Sequence, residues 1–420
     1  MTTNETGAIL AGYEDRAWRA AAQAQREGGT NFVAGRREGP YVWNLDGSHR
    51  VLDATCSGGV HTLGHRNPAI LAAMRDALDR GLDGGLWMLP NAETLGLLDA
   101  LAAASPPGLC RSVITLSASQ AADLALSFAF RLTGRHGIVA FRQGYHGNTG
   151  FSAMATGGES EGIRAHYNLP DGASRFFDTY GDLAAIEALV DSTTAAVILE
   201  PMDYETFAPA PPGYLAGIAA LCRARGARLI IDETRTGIGR TGPFWMCAKD
   251  GFVPDMIVCG KGLSGGLYPV AALVTTREIH EACINTHAYA YTSSLGGNEL
   301  ASAVGRAVLG IVTAPGWQAD VAAIATRFQE RFTTLRQRHQ SVFGEGSVQG
   351  GIATIGVVDR PTSQRLARRL FDLGVLVHSV SVAGPPMVKF MPVLTAGPGV
   401  ADEIADALDQ AASEIGSITP

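Results

Sequence analysis

From about residue 110 to residue 310, short apolar runs alternate with stretches of helical period. The runs 113–116, 138–141, 196–199, 229–231, 256–258 and 270–275 are brief and continuously apolar, the pattern of buried strands. Residues 121–132, 183–190 and 214–225 lie between them with helical spacing. This alternation predicts an α/β fold, a mostly parallel sheet covered by helices on both faces. After Gly310 the rhythm changes. A long helix over 317–338 leads to short strands at 352–358 and 375–378, which reads as a smaller α+β unit. Ahead of the alternating region, 13–27 reads as one amphipathic helix. The runs 41–43 and 50–53 alternate around Asp46-Gly47 as a hairpin, and 70–80 has helical period. Residues 84–90 interrupt the pattern before another helix starts near Ala92. The expected organisation is an N-terminal segment, 1–55, packing with a small C-terminal domain, 311–420, around a large domain, 56–310.

Composition narrows the class. The 420 residues are 46% hydrophobic and 17% charged, with 51 glycines, which suits a globular chain of two or three lobes rich in turns. A net charge of −7 without a basic cluster argues against nucleic acid as a partner. No apolar run reaches the roughly 18 residues of a membrane helix, and the N-terminus lacks the charged and apolar regions of a signal peptide. Cys56, Cys110, Cys222, Cys247, Cys259 and Cys283 are scattered without a metal-binding spacing, so they read as reduced thiols of a cytoplasmic protein, with no metal expected.

Two strand ends carry chemistry. The run 229–231 ends on Asp232, and the run 256–258 is followed, after Gly260, by Lys261, 29 positions further on. In open α/β sheets ligands bind beyond the carboxyl ends of the strands, so both side chains are expected to face one crevice. An ordinary ion pair would satisfy the same two residues. Pyridoxal phosphate would use them differently. It needs a lysine for its Schiff base and an acid beside its pyridine nitrogen, and burial helps the lysine lose its proton.

The surrounding residues separate these readings. DETRTGIGRTG at 232–242, followed by PDMIVCGKGLSGG at 254–266, closely resembles the signature of class III aminotransferases, a fold-type I pyridoxal-phosphate family. The motifs occur in family order over roughly residues 39–410. The resemblance implies a large domain with a seven-stranded-type, mostly parallel sheet, a smaller α+β domain and bound pyridoxal 5′-phosphate. It also implies a homodimer whose two chains share each site. Lys261 then forms the Schiff base and moves protons, while Asp232 holds the ring nitrogen.

Further site residues follow from the same resemblance. Ser117-Ala118-Ser119, between a strand and a helix, corresponds to the phosphate loop SG(S/T)EA, with Ala118 in place of Gly and Gln120 in place of Glu. Read alone, Ser117 is equally an ordinary helix cap. Tyr145, in Gly144-Tyr145-His146-Gly147, corresponds to the aromatic residue stacked on one face of the ring, and Thr234 to the small residue covering the other. Arg235 stands where Gln usually contacts the ring hydroxyl. Glu200, before Pro201, matches a Glu close to the lysine. Ser294, in the stretch 291–298, matches the Thr that reaches the phosphate of the partner subunit.

The substrate end departs from the pattern. Lys389 takes the place of an Arg that grips a carboxylate in members acting on ornithine, acetylornithine or γ-aminobutyrate, and Glu205 matches the Glu that pairs with it. Asn148 replaces a second carboxylate-binding Arg of ornithine aminotransferase, which points away from ornithine as substrate. Trp87 has two readings, core packing and a wall of the substrate pocket. If Glu205 and Lys389 form a rim ion pair, Lys389→Ala should cost little. The expected reaction moves an amino group from an amine or amino acid to a carbonyl acceptor. Aminomutase, racemase or epimerase, and decarboxylase activities on the same framework remain the alternatives.

Overall fold

A computed structural model of the chain describes residues 3–27, 30–85, 89–157, 168, 172, 174–287, 289–377 and 384–416. Three short strands, β1 (Ala34–Glu38), β2 (Tyr41–Asn44) and β3 (Arg50–Asp53), form an antiparallel meander near the N-terminus. Seven more follow: β4 (Leu109–Thr115), β5 (Gly137–Phe141), β6 (Ser174–Phe177), β7 (Thr194–Leu199), β8 (Arg228–Asp232), β9 (Met256–Cys259) and β10 (Ala271–Thr276). They make one sheet in the order β4-β10-β9-β8-β7-β5-β6. Pairing is parallel from β6 through β5, β7 and β8 to β9. β10 is antiparallel to both β9 and β4. Only residues 260–270 connect β9 to β10, too few for a crossover helix, so the chain must return antiparallel. The α/β class with a mostly parallel sheet is what the apolar rhythm predicts, and the seven strands are what the family resemblance implies.

Burial explains the rhythm. Every residue of β7, β9 and the Leu229–Asp232 part of β8 is buried, because helices cover both faces of the sheet. The helix Ala118–Thr133 turns Ala121, Ala122, Ala125 and Ala129 toward the sheet, small residues that let helix and strands approach closely. Each fully buried Ile, Leu or Val contributes about 1.5–3 kcal/mol of transfer free energy, so the central strands dominate the stability of this layer.

The C-terminal region adds β11 (Phe343–Gln349), β12 (Ile352–Val357), β13 (Val375–Leu376) and β14 (Met387–Phe390). β11, β12 and β14 form an antiparallel sheet, with Thr354 opposite Lys389. β13 instead pairs with β3, Val375 opposite Leu52, and completes the sheet β1-β2-β3-β13. The N-terminal and C-terminal segments therefore share one sheet. The long helices Trp317–Arg338 and Gly399–Gly416 pack on each other. Among the described residues no single helix is long and apolar enough to cross a membrane.

Several boundaries differ from the sequence reading. The single helix expected over 13–27 is two helices, Thr3–Arg16 and Arg19–Glu27, with Trp18 between them 69% exposed. Leu10 and Ala22 are the buried anchors, so each half is held at its own point. β1, β6, β11 and β14 were not anticipated. β11 reads FGEGSVQ, and Gly344 and Gly346 dilute its strand pattern; the register shifts between them, and a Cβ on Gly346 would run into the Thr354 backbone. The helix expected over 183–190 closes at Glu187. His378, the expected last residue of a strand, lies outside the described residues.

Candidate active site

The parallel order places the carboxyl ends of β5, β7, β8 and β9 along one edge, and β10 begins on that edge. A cavity of about 300 Å³ opens there. Ser117, Ala118, Ser119, Tyr145, His146, Glu200, Asp232, Thr234, Arg235 and Lys261 all line it. Nine of these ten are residues singled out from the sequence, drawn from five strand ends; His146 is the addition.

Asp232 is buried and doubly held. Its Oδ2 pairs with Nδ1 of His146 at 2.9 Å, and its Oδ1 accepts the Thr234 N–H at 3.0 Å. Burial pushes the carboxyl up, but the hydrogen bonds and charge of His146 and the Thr234 contacts outweigh it, leaving Asp232 below the ordinary carboxylate range. His146 is itself inaccessible. Its backbone N–H donates to Thr156 Oγ1 at 2.9 Å, and its Nε2 has no partner. The sequence reading passed over His146 in favour of Tyr145. The available signal was its place at a strand end beside glycine, where a buried imidazole requires a polar partner.

Lys261 starts a short 3₁₀ turn, Lys261–Ser264, directly after β9, with φ of 37°. An L-residue rarely adopts this conformation, and it persists where the surroundings over-determine it. Burial pulls the amine down to about 8, Arg235 pulls in the same direction, and Glu200 and Asp232 act against both. An amine titrating there is neutral in a useful fraction near neutral pH and can act as a nucleophile or a base. Gly58 faces it: a Cβ built on Gly58 would stand 3.0 Å from Lys261 Nζ.

The helix Ala118–Thr133 points its N-terminus into the cavity. Ser117 caps it by accepting the Gln120 N–H at 3.2 Å, and the Gln120 side chain accepts the Leu116 N–H at 3.1 Å. That second bond needs an acceptor but no charge, which accounts for Gln in place of the family Glu. Ala118 keeps right-handed helical backbone, so the Gly it replaces is not required for φ. The first-turn N–H groups of a helix have no acceptor within it and favour an anion. Gly147, at φ +133°, lets the next loop close in: a Cβ there would be 2.6 Å from Ser119 Oγ.

Glu200 and Arg235 form a buried pair at 2.8 Å. Arg235 also donates Nη1–H to the Tyr204 carbonyl at 3.2 Å, and its guanidinium lies 4.6 Å from the Tyr204 ring centroid and 4.4 Å from that of Phe207. Burial raises Glu200 above its ordinary range despite the guanidinium. Tyr145 is 37% exposed and lies nearly parallel to Tyr204, centroids 6.2 Å apart. Glu200 Oε1, Thr234 Oγ1 and Arg235 Nε are buried without a hydrogen-bond partner, as is His146 Nε2. Four such atoms around one cavity are the mark of a site that takes a polar ligand.

Three sequence-predicted residues are not brought to this cavity. Glu205 and Lys389 lie behind Tyr204, paired at 3.4 Å, with Lys389 Nζ 5.0 Å from the Phe207 ring centroid and 5.9 Å from that of Tyr204. This corrects the expectation of a rim pair: both residues are buried, Lys389 in the middle of β14 against β12, and burial lowers its amine from the ordinary value. Ser294 is exposed and lines a separate cavity of about 590 Å³ beside Asn91, Thr94, Ser112 and Tyr291. Trp87 lies outside the described residues. Sequence reasoning also missed Arg240, buried behind the site. It donates to the carbonyls of Pro392 and Gly351 and to Thr62 Oγ1, so three distant segments meet on one side chain.

Comparison with known proteins adds an independent line. The family model described as aminotransferase class-III matches residues 22–412. An uncharacterized aminotransferase of Archaeoglobus fulgidus is 33% identical over 384 residues, covering 90% of this chain and 88% of that protein. A succinylornithine transaminase of Salmonella typhimurium is 32% identical over 395 residues, covering 90% of this chain and 91% of its own. Among solved structures, an adenosylmethionine-8-amino-7-oxononanoate aminotransferase of Methanocaldococcus jannaschii superposes with a TM-score of 0.86 at 23% identity, covering 97% of this chain and 99% of that one.

Proposed function

The chain belongs to the class III aminotransferases, enzymes that transfer amino groups with pyridoxal phosphate, and from that membership we propose how its own residues divide the work. The observation that carries the reading is the convergence of Lys261 and Asp232 on one cavity bordered by four unpartnered buried polar atoms. These residues fit pyridoxal phosphate. The N–H groups of Ala118 and Ser119 and the hydroxyl groups of Ser117 and Ser119 suit its phosphate. Tyr145 and Thr234 would bracket its ring, Asp232 suits the pyridine nitrogen, and Arg235 the ring hydroxyl. When bound, the cofactor supplies an electrophilic carbon and an electron-accepting ring.

The chain's contribution is then positioning and proton movement. Lys261 is the nucleophile that anchors the cofactor and the base that carries a proton at the reacting carbon of the substrate. Its depressed proton affinity lets it serve both as acceptor and as donor near neutral pH. Asp232, held ionised by His146 and Thr234, keeps a proton on the ring nitrogen. Glu200 orients Arg235. The large unit is read as 56–310, flanked by 1–55 and 311–420. Six unpaired cysteines, five of them buried, support a reducing, cytoplasmic setting.

The test is direct. Purified protein loaded with pyridoxal phosphate should show a visible absorption band that borohydride abolishes, and an amine donor should bleach the band while a carbonyl product accumulates. Bleaching without release of any carbonyl product would favour a single-substrate isomerase instead. Asp232→Asn should keep the cofactor but lower turnover by roughly a hundredfold or more, because the ring nitrogen no longer stays protonated. Near-normal turnover in that variant would remove Asp232 from its role.

Ser294 belongs to the homodimer reading. Its hydroxyl is exposed and away from its own Lys261, which suits delivery to a partner's phosphate. Ser294→Ala should weaken cofactor retention by about 1–3 kcal/mol, the loss of one bond to a charged acceptor. Equilibrium dialysis measures this, and mixing Ser294→Ala chains with Lys261→Ala chains should redistribute the defects between sites. A monomer in sedimentation with unaltered cofactor affinity would end the shared-site idea.

A further inference from the structure

A strained turn runs beside Lys261. Cys56, Ser57, Gly58 and Gly59 follow β3 with φ of 46°, 50°, 71° and 105°. Glycine takes such angles freely, but two L-residues in succession do so at a cost and persist only where other contacts hold them. The turn meets another left-handed residue, Lys261 itself. A Cβ on Gly58 would stand 3.0 Å from Lys261 Nζ and 3.8 Å from its Cε, so the Gly58 backbone is a wall against the end of that side chain.

Asp53 holds the turn in this shape. Its Oδ1 accepts the Thr55 N–H at 2.9 Å, the Thr55 hydroxyl at 2.7 Å and the Cys56 N–H at 2.9 Å. Thr55 Oγ1 in turn accepts the Ser57 N–H at 3.1 Å. The other carboxylate oxygen of Asp53 pairs with His65 Nε2 at 2.9 Å, and two backbone bonds with Gly39 fix His65. Both side chains are buried. Burial pushes the Asp53 carboxyl up, but the hydrogen bonds of His65 and Thr55 outweigh it and bring it down to about 2. Asp53 therefore accepts as an anion, which makes the stronger kind of hydrogen bond. The far end of the turn is tied separately. Thr62 donates to the Gly59 carbonyl at 2.8 Å and accepts from Arg240 Nη2 at 2.8 Å. The turn also divides two cavities: Asp53, Thr55 and Ser57 line one of about 820 Å³, whereas Val60 lines the cavity of Lys261.

We propose that Asp53 is a positioning residue for Lys261, holding Cys56 and Ser57 in the left-handed turn so that Gly58 limits the reach of the amine during proton transfer. The inference rests on the aminotransferase reading of Lys261 and adds to it a residue outside the cavity in which Lys261 works.

Ser57 provides the test. Its side chain is exposed, and glycine in its place would adopt the left-handed angle without strain. The cofactor-loaded enzyme is mixed with saturating L-alanine, L-glutamate, 4-aminobutyrate or 1-phenylethylamine, whichever bleaches the visible band fastest. The first-order rate constant of bleaching reports only working sites, so it does not depend on the fraction of protein that folds. Asp53→Ala should lower it by about tenfold or more, and adding Ser57→Gly should recover most of the loss. Amide hydrogen exchange reads the turn without turnover. The peptide spanning 54–62 should exchange faster in Asp53→Ala and slow again in the double variant, while β8 and β9 keep wild-type protection. Should Asp53→Ala fail to fold, Thr55→Val removes the hydroxyl shared by Asp53 and Ser57 and should give the same pattern in milder form. A rate constant and an exchange rate at wild-type level in these variants, or losses that Ser57→Gly does not reverse, overturn the proposal while leaving the aminotransferase reading intact. A wild type whose visible band survives borohydride overturns that reading and this one with it.

Discussion

Lys261→Ala should abolish aminotransfer altogether while leaving the protein folded. The side chain does two jobs in the proposed chemistry, anchoring the cofactor and moving the proton, and no other described amine lines the cavity. General acid–base catalysis alone is worth about 10²–10⁴-fold, and loss of the covalent anchor adds to it. Removing an unpaired, partly buried amine also removes a desolvation cost, so thermal stability should hold or rise. The check is borohydride trapping followed by peptide mapping. Wild type should carry the reduced cofactor on the peptide containing Lys261, and the variant should carry none. Full trapping in the variant would place the reactive amine elsewhere. The pH dependence has a definite sign. The folded amine titrates at about 8 against an ordinary 10.5, so aldehyde capture should climb with pH and level off above about 8. Across the window between those two values the unfolded chain holds the extra proton, so this group makes stability rise with pH.

Lys389→Ala should be among the most destabilising single changes in the C-terminal region. The variant leaves Glu205 buried without its counter-charge, 4% exposed and closed off on one side by Gly384, against whose Cα it packs. Breaking a buried pair from one side costs about 3–5 kcal/mol, whereas replacing both partners by well-packed neutral groups is often neutral or stabilising. Denaturant unfolding should therefore show a large loss for Lys389→Ala and a small one for Glu205→Gln combined with Lys389→Met. Equal losses in the single and double variants would mean that the pair is not electrostatically coupled. This expectation reverses the one drawn from sequence, where the same residues were a rim pair of little worth. β14 was not recognised as a strand. Its place against β12 buries Lys389, while Glu205 arrives from the loop after β7, 184 positions away.

The remaining departures separate in the same way. Gln120 in place of Glu is a local matter, settled by a backbone N–H four residues away. Arg235 in place of Gln is not, because its meaning depends on Glu200, Tyr204 and Phe207, which lie on another strand end. His146 was legible as a residue type at a strand end but not as the partner of Asp232, 86 positions on.

By itself the sequence determined the α/β class, the strands β5, β7, β8, β9 and β10, and the presence of Asp232 and Lys261 on two of their ends. These are short-range properties: continuous apolar runs, helical spacing and a polar residue at the end of a buried strand. The motif resemblance added the family on the same local evidence. Only the tertiary structure decided that β10 runs antiparallel, that Glu205 and Lys389 are buried behind a ring, that Arg240 joins three segments, and that Ser294 lies at a separate cavity from its own lysine. Each of these depends on which distant segments pack together. Burial, more than residue identity, decides whether a charge is a solvated ornament or a pair that the fold cannot lose.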